Sequence, residues 1–373
     1  MNKIYFPNLN ALRFTAALLV IIHHIEQFKR IYHLDSLYGE SPFISSIGPQ
    51  GVSLFFVLSG FLITYLLLSE EKKSLNINIP KFYIRRALRI WPLYFLVVIL
   101  SLFVLPYITI LNLPGYDATV TQTFLGYKLL LYIFFFANIV FAIFGLVPYC
   151  AQSWSIGTEE QFYLVWPILL KYMGGGRRKL LMFSIVIGYH LIRKATTSEW
   201  FLLVPHSHTL QIYWSGFTID CMAIGGFVAL LLFENNKILK YLLNQTTFYI
   251  SLLTTITFLY FAIAIPYINS IVYSTLYAVI ILNLSSNKNL PFSLENKVFK
   301  HLGNISYGLY MLHPLAVVAT ILIGIRFNIT TNLFIYPVTV ILTILIASFS
   351  YQYFEKWFLK RKHKYAVVDS GSN

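Results

Sequence analysis

Residues 12–24 read LRFTAALLVIIHH, with an arginine near one end, two histidines at the other and nothing charged between them. Extended to 10–28, this is an apolar stretch of roughly membrane-spanning length. Ionisable side chains are costly inside a bilayer, so Arg13 and His24 mark a place where the chain does work as well as crosses. Eleven residues of α-helix turn through about 1100°, within about 20° of whole turns, so Arg13 and His24 share one face about 16 Å apart. His23 points about 80° away from that face.

The whole chain repeats this character. Of its 373 residues 57% are hydrophobic and only 11% charged, against about 25% charged in soluble domains. The composition predicts an all-α, polytopic membrane helix bundle, a single domain over 1–360 with a short polar tail over 361–373. Lys and Arg outnumber Asp and Glu 28 to 14, a net charge of +14. These basic residues fall in short loops between apolar runs, so they read as topology signals and not as a nucleic-acid surface. Cys150 and Cys221 are isolated among apolar neighbours and imply neither disulfide nor metal.

Apolar segments stand at 10–28, 50–69, 89–110, 128–147, 160–171, 179–193, 213–233, 247–266, 270–284, 303–325 and 332–355. The basic loops 70–89 and 171–179 belong on one side, the cytoplasmic one, so an even number of crossings separates them. Three apolar segments lie between, and one of them does not cross. Segment 128–147, interrupted by Asn138 and Gly145 and followed by Pro148 and Gln152, is the one that reads as re-entrant or interfacial. About ten transmembrane helices with both termini cytoplasmic follow. The His24 end of the first helix and the stretch SWSIGTEEQ then lie together toward the outer side.

Four further stretches carry chemistry. In SWSIGTEEQFYLVWP, Glu159 and Glu160 read as lying just before a helix, where carboxylates cap the dipole or orient an imidazole at the depth of His24. In HLGNISYGLYMLHP, Ser306, Tyr310 and His313 line one helix face, while Gly303 and Gly308 permit close helix contact. In FYIRRALRIWP, Arg85, Arg86 and Arg89 fall within about a 100° arc and suit a phosphate-bearing cytoplasmic ligand. GVSLFFVLSGFLITYLLL supplies Gly51, Ser59 and Gly60, small residues for packing or for lining a passage. Asp220 is a lone carboxylate inside an apolar span and a weaker candidate. His206-x-His208 lacks further ligands, and no metal site is read.

LNALRFTAALLVIIHH, GVSLFFVLSGFLIT, RRALRIWPLYFL, SWSIGTEEQFYLVWP and LGNISYGLYMLHP occur in the order found in membrane acyltransferase family 3, the bacterial integral-membrane O-acyltransferases. Together these stretches resemble that family from about residue 8 to residue 358. Asn10 stands where the family more often has Asp, and Gly157-Thr158 replaces the more usual pair before the first Glu. The resemblance implies acyl transfer, typically of acetyl from acetyl-CoA as cosubstrate, to a hydroxyl of an extracytoplasmic carbohydrate or glycolipid. It implies a bacterial cytoplasmic membrane location and no permanently bound cofactor. His24 becomes the essential histidine, Arg13 its motif partner, and Arg86 with Arg89 the pair near the CoA phosphates. A histidine working as base or transient acyl carrier, oriented by Glu159 or Glu160, fits the weak nucleophilicity of a sugar hydroxyl. A proton-coupled transporter is the other class these intramembrane residues fit, although no inverted repeat relates the two halves.

Overall fold

The computed structural model describes residues 4–366 and Val368. Among the described residues it is all-helical, with 78% helix and no sheet. The long helices in the first half are α1 (Leu9–Ile31), α2 (Pro42–Ser74) and α3 (Ile79–Ile99). Three short pieces follow, α4 (Ala118–Gln122), α5 (Leu125–Ile133) and α6 (Ala137–Phe144), and then α7 (Ser153–Tyr172) and α8 (Gly176–Thr196). The second half holds α9 (Ser207–Gly216), α10 (Ile219–Phe233), α11 (Leu239–Leu242), α12 (Gln245–Tyr260) and α13 (Asn269–Ser286). It ends with α14 (Lys297–Asn304), α15 (Ser306–Phe327), α16 (Asn332–Ser350) and α17 (Lys356–Lys362).

Among the described residues, seven helices or consecutive helical runs are long and apolar enough to cross a membrane. The ten expected from charge parity also require α7, α8 and α12. The first two carry several charged residues, and α12 has only 16 residues. Segment 128–147 is broken, at Phe134–Phe136 and at Gly145, whereas Asn138 lies inside α6. Helices α5 and α6 have nine and eight residues, about 14 Å at most, well short of a hydrocarbon core of about 30 Å. Their irregular joint meets α7 through the buried Phe135, where Gln161 Nε2 donates to the Phe135 carbonyl at 3.1 Å and Asn138 Nδ2 donates to Gln161 Oε1 at 3.2 Å. Backbone at membrane depth is tolerated when protein satisfies it in this way.

The basic connections gather at one end of the bundle. There Arg178 pairs with Glu71 at 2.8 Å, Lys179 with Glu234 at 2.7 Å, and Arg85 Nη1 donates to the Tyr365 carbonyl at 2.8 Å. The start of α1 is at the same end, since Asn8 Nδ2 donates to the Leu284 carbonyl at the close of α13. The expected tail therefore starts as the last turn of α17, docked on α3. Its residues 367 and 369–373 lie outside the described residues.

Between apolar helices in lipid, close approach replaces the hydrophobic effect as the source of attraction. The crossing of α2 and α10 depends on it: a Cβ on Gly60 would come within 2.0 Å of the Met222 carbonyl oxygen, and one on Gly225 within 2.1 Å of the Val57 oxygen. Gly51 lies on the Ala16 carbonyl, which brings α2 against α1.

Candidate active site

A cavity of 320 Å³ opens inside the bundle at its basic end. Arg13 of α1 lines it, with Ser59 of α2, Arg86 and Arg89 of α3, Ser155, Glu159 and Tyr163 of α7, Ser306 and Tyr310 of α15, and Lys362 of α17. The start of α3 fixes the arginines. Asn78 caps the helix by accepting from the Lys81 amide at 3.0 Å, and Glu70 Oε1 accepts from the Asn78 amide at 2.9 Å. Arg86 and Arg89, three residues apart, then face the same way.

Arg13, Arg86, Arg89 and Lys362 have no carboxylate within ion-pair distance among the described residues. Arg13 donates to the Asn10 side-chain oxygen at 3.3 Å, so Asn10 keeps contact with the arginine although it is neutral. Arg86 lies over the rings of Tyr163 at 5.3 Å and Phe82 at 5.8 Å. Arg85 differs. It is ion-paired with Glu70 at 2.8 Å and does not line this cavity, against the expectation that the three arginines act together. Its position about 100° around the helix from Arg86 accounts for the separation.

The carboxylates are placed otherwise than the sequence suggests. Helix α7 begins at Ser153, so Glu159 and Glu160 are the seventh and eighth residues of the helix and not its cap. Gln152 Nε2 donates to the Met311 carbonyl at 2.8 Å, and the Ser155 and Tyr310 hydroxyls are 2.7 Å apart, which puts the start of α7 near the level of His313. Glu159 is about 10 Å further along the axis than Gln152. Its Oε1 accepts from the hydroxyls of Ser59 and Tyr163. Glu160 Oε2 accepts from Trp91 Nε1 at 3.0 Å. Neither carboxylate bonds an imidazole, so the expected orientation of His24 by Glu159 or Glu160 is not formed.

The imidazole partner of His24 is His313. His24 Nδ1 lies 3.1 Å from His313 Nε2, with ring centroids 4.8 Å apart and planes at 35°. His24 Nδ1 is also 3.0 Å from the Val20 carbonyl, and His313 Nδ1 is 2.7 Å from that of Tyr310. His23 turns away as its angle demands: its Nδ1 meets the Ile44 carbonyl at 2.7 Å, and Gly48 leaves room for its ring. The cavity stops at Val52, Phe55, Ser155 and Tyr310, one turn before His313, and neither histidine lines it. The Phe55 and Tyr310 rings meet edge-on at 5.8 Å where it ends.

Asp220 is apart from all of these. Its Oδ2 takes the Ser270 hydroxyl at 2.6 Å and faces His190 Nε2 at 3.2 Å, in a separate cluster of α8, α10 and α13. Two wall residues escape a reading of the sequence. Lys362 belongs to the run KRKHK and looks like a topology signal. Tyr163 stands four residues after Glu159, a spacing that would have suggested the contact had the helix start been placed at Ser153.

The chain is 28% identical over 377 aligned positions to the peptidoglycan O-acetyltransferase OatA of Listeria monocytogenes, covering 95% of this chain and 56% of that protein. It is 26% identical to the putative peptidoglycan O-acetyltransferase YrhL of Bacillus subtilis, over 94% of this chain and 54% of the relative. A putative O-acetyltransferase of Staphylococcus aureus is also 26% identical, over 95% and 58%. The chain thus spans little more than half the length of these curated relatives. No solved structure matches it. The family model for the acyltransferase domain matches residues 6–351, almost the whole bundle from Phe6 through the cavity-lining Tyr351, and the chain belongs to that acyltransferase family.

Proposed function

We propose that the protein is a multi-pass membrane O-acetyltransferase that takes acetyl from acetyl-CoA at the basic end of the bundle and passes it to a carbohydrate hydroxyl arriving from the His24 end. The observation that carries the reading is the set of four cations, Arg13, Arg86, Arg89 and Lys362, around one cavity without ion-pair partners among the described residues. Partly buried guanidinium groups left unpaired are costly, and a polyanionic ligand removes that cost. The volume lies at the low end for small-molecule sites, with room for phosphates and part of a pantetheine arm while the adenosine end stays outside. The thioester then points toward Tyr310 and Ser155, the wall nearest His313.

His24 supplies the base. The acceptor oxygen attacks the thioester carbonyl carbon, its proton passes to the imidazole, the C–S bond breaks, and the departing thiolate takes the proton. Ser59 and Tyr163 hold Glu159 in the wall, where its charge partly balances the four cations. The names of the relatives make peptidoglycan the first acceptor to try.

The test is reconstitution in vesicles with acetyl-CoA outside or inside and peptidoglycan fragments on the opposite side. Acetyl ester recovered on the saccharide is the expected result. Passage of unchanged saccharide or intact acetyl-CoA across the bilayer, without ester, would contradict it and favour transport.

A further inference from the structure

We infer that His313 is a positioning residue that fixes His24 in the tautomer whose free lone pair is on Nε2. The inference rests on the reading of His24 as base, but the geometry behind it is independent of any donor. Its origin is the dipeptide His313-Pro314 inside α15. A proline has no N–H, so Pro314 leaves the Tyr310 carbonyl without its usual helical donor. The His313 side chain takes that place, with Nδ1 at 2.7 Å from the Tyr310 oxygen. A carbonyl only accepts, so Nδ1 of His313 carries the proton, and Nε2 of the neutral ring carries a lone pair. That lone pair faces His24 Nδ1 at 3.1 Å.

The second ring follows by the same rule. His24 Nδ1 faces two acceptors, His313 Nε2 and the Val20 carbonyl at 3.0 Å, so it carries a proton shared between them. Nε2 of His24 is left as the basic atom. The chain of donors runs from His24 Nδ1–H to His313 Nε2, and from His313 Nδ1–H to the Tyr310 carbonyl. Complete burial of His313 holds its ring in place, and His24 gains a fixed tautomer and orientation. Carboxylates do this for histidine bases elsewhere. Here, among the described residues, Glu159 and Glu160 are engaged with Ser59, Tyr163 and Trp91 instead.

The test compares His313→Gln, His313→Asn and His313→Ala in purified, monodisperse protein, reading acetyl-CoA binding and the kcat and KM of acetyl-CoA hydrolysis. A glutamine side chain places an amide oxygen near the position of the lost Nε2, while asparagine reaches only to the position of Nδ1. The alanine and asparagine variants are expected to bind donor normally and to lose about 10- to 100-fold in kcat, with KM little changed. The glutamine variant is expected to recover most of that loss. Equal loss in all three with normal donor binding would make His313 a packing residue, and full activity in all three would remove it from the reaction; either overturns the inference. ¹⁵N spectra of histidine-labelled protein give a reading that needs no activity. A His24 signal with Nδ1 protonated and Nε2 bare is expected, and the opposite tautomer would overturn the inference. Activity that survives His24→Ala while the tautomer is as expected would instead defeat the proposed function.

Discussion

At the Arg13 end of the bundle, three guanidinium groups and one ammonium face a cavity without ion-pair partners among the described residues. At the His24 end, both nitrogens of His313 and Nδ1 of His24 are occupied by neighbours within 3.1 Å. Among the described residues, one end thus leaves its basic groups without counter-charges, and the other leaves Nε2 of His24 open. Strong fields from fixed charges suit the capture of a polyanion, whereas a base has to be held in one protonation state and one orientation. The ten residues of α1 between Arg13 and His24 separate these two proposed tasks by about 16 Å.

The separation can be broken from either side. Replacing His24 by Ala should have the largest effect, a loss of about 10²- to 10⁴-fold in transfer rate with donor affinity unchanged, measured by single-turnover kinetics and binding on one preparation. The double variant Arg86→Ala/Arg89→Ala should act in the opposite sense. Two charge-assisted contacts of about 1.5–3 kcal/mol each correspond to at least a hundredfold rise in the dissociation constant for acetyl-CoA. Equilibrium binding at two salt concentrations checks it, since a phosphate site weakens as salt rises.

Gly60→Val tests the scaffold that holds the two ends in register. A Cβ there would lie 2.0 Å from the Met222 carbonyl oxygen, so α2 and α10 must separate. Overpacking of this kind costs about 1–3 kcal/mol, or more when backbone is in the way, and should appear as a lowered melting temperature in detergent. The smallest effects are expected at two residues adjacent to the site. Arg85→Ala loses the Glu70 pair and the Tyr365 carbonyl and should change donor affinity only a few-fold. His23→Ala should keep transfer activity, because its ring is turned to Ile44 and Gly48. A large rate loss in His23→Ala would blur the distinction between the two histidines.

Periodicity made the shared face of Arg13 and His24 legible, and with it the divergence of His23, because both follow from helical angle alone. Gly51, Gly60, Gly303 and Gly308 were likewise readable as points of close approach; Gly303 lies on Asn10 and Gly308 on Ala347. Within 128–147 Gly145 marked the end of α6, but the joint at Phe134–Phe136 carries no breaking residue and Asn138 lies inside α6. What periodicity missed depends on where helices start and which neighbours they meet. SWSIGT has ordinary loop composition yet forms the first turns of α7, and that shift carries Glu159 and Glu160 away from His24. The partnership of His24 with His313 joins helices 289 residues apart and is set by packing. Lys362 reads as one more cation in a basic run until α17 folds it over the cavity.

The division of labour between the two ends is tested most directly by radiolabelled acetyl-CoA on purified wild type, His24→Ala and Arg86→Ala/Arg89→Ala, following binding and slow hydrolysis, neither of which requires the acceptor. Binding retained but hydrolysis lost in His24→Ala, with binding lost in the arginine variant, is the expected outcome. Binding of acetyl-CoA by none of the three, or hydrolysis unimpaired in His24→Ala, would contradict it.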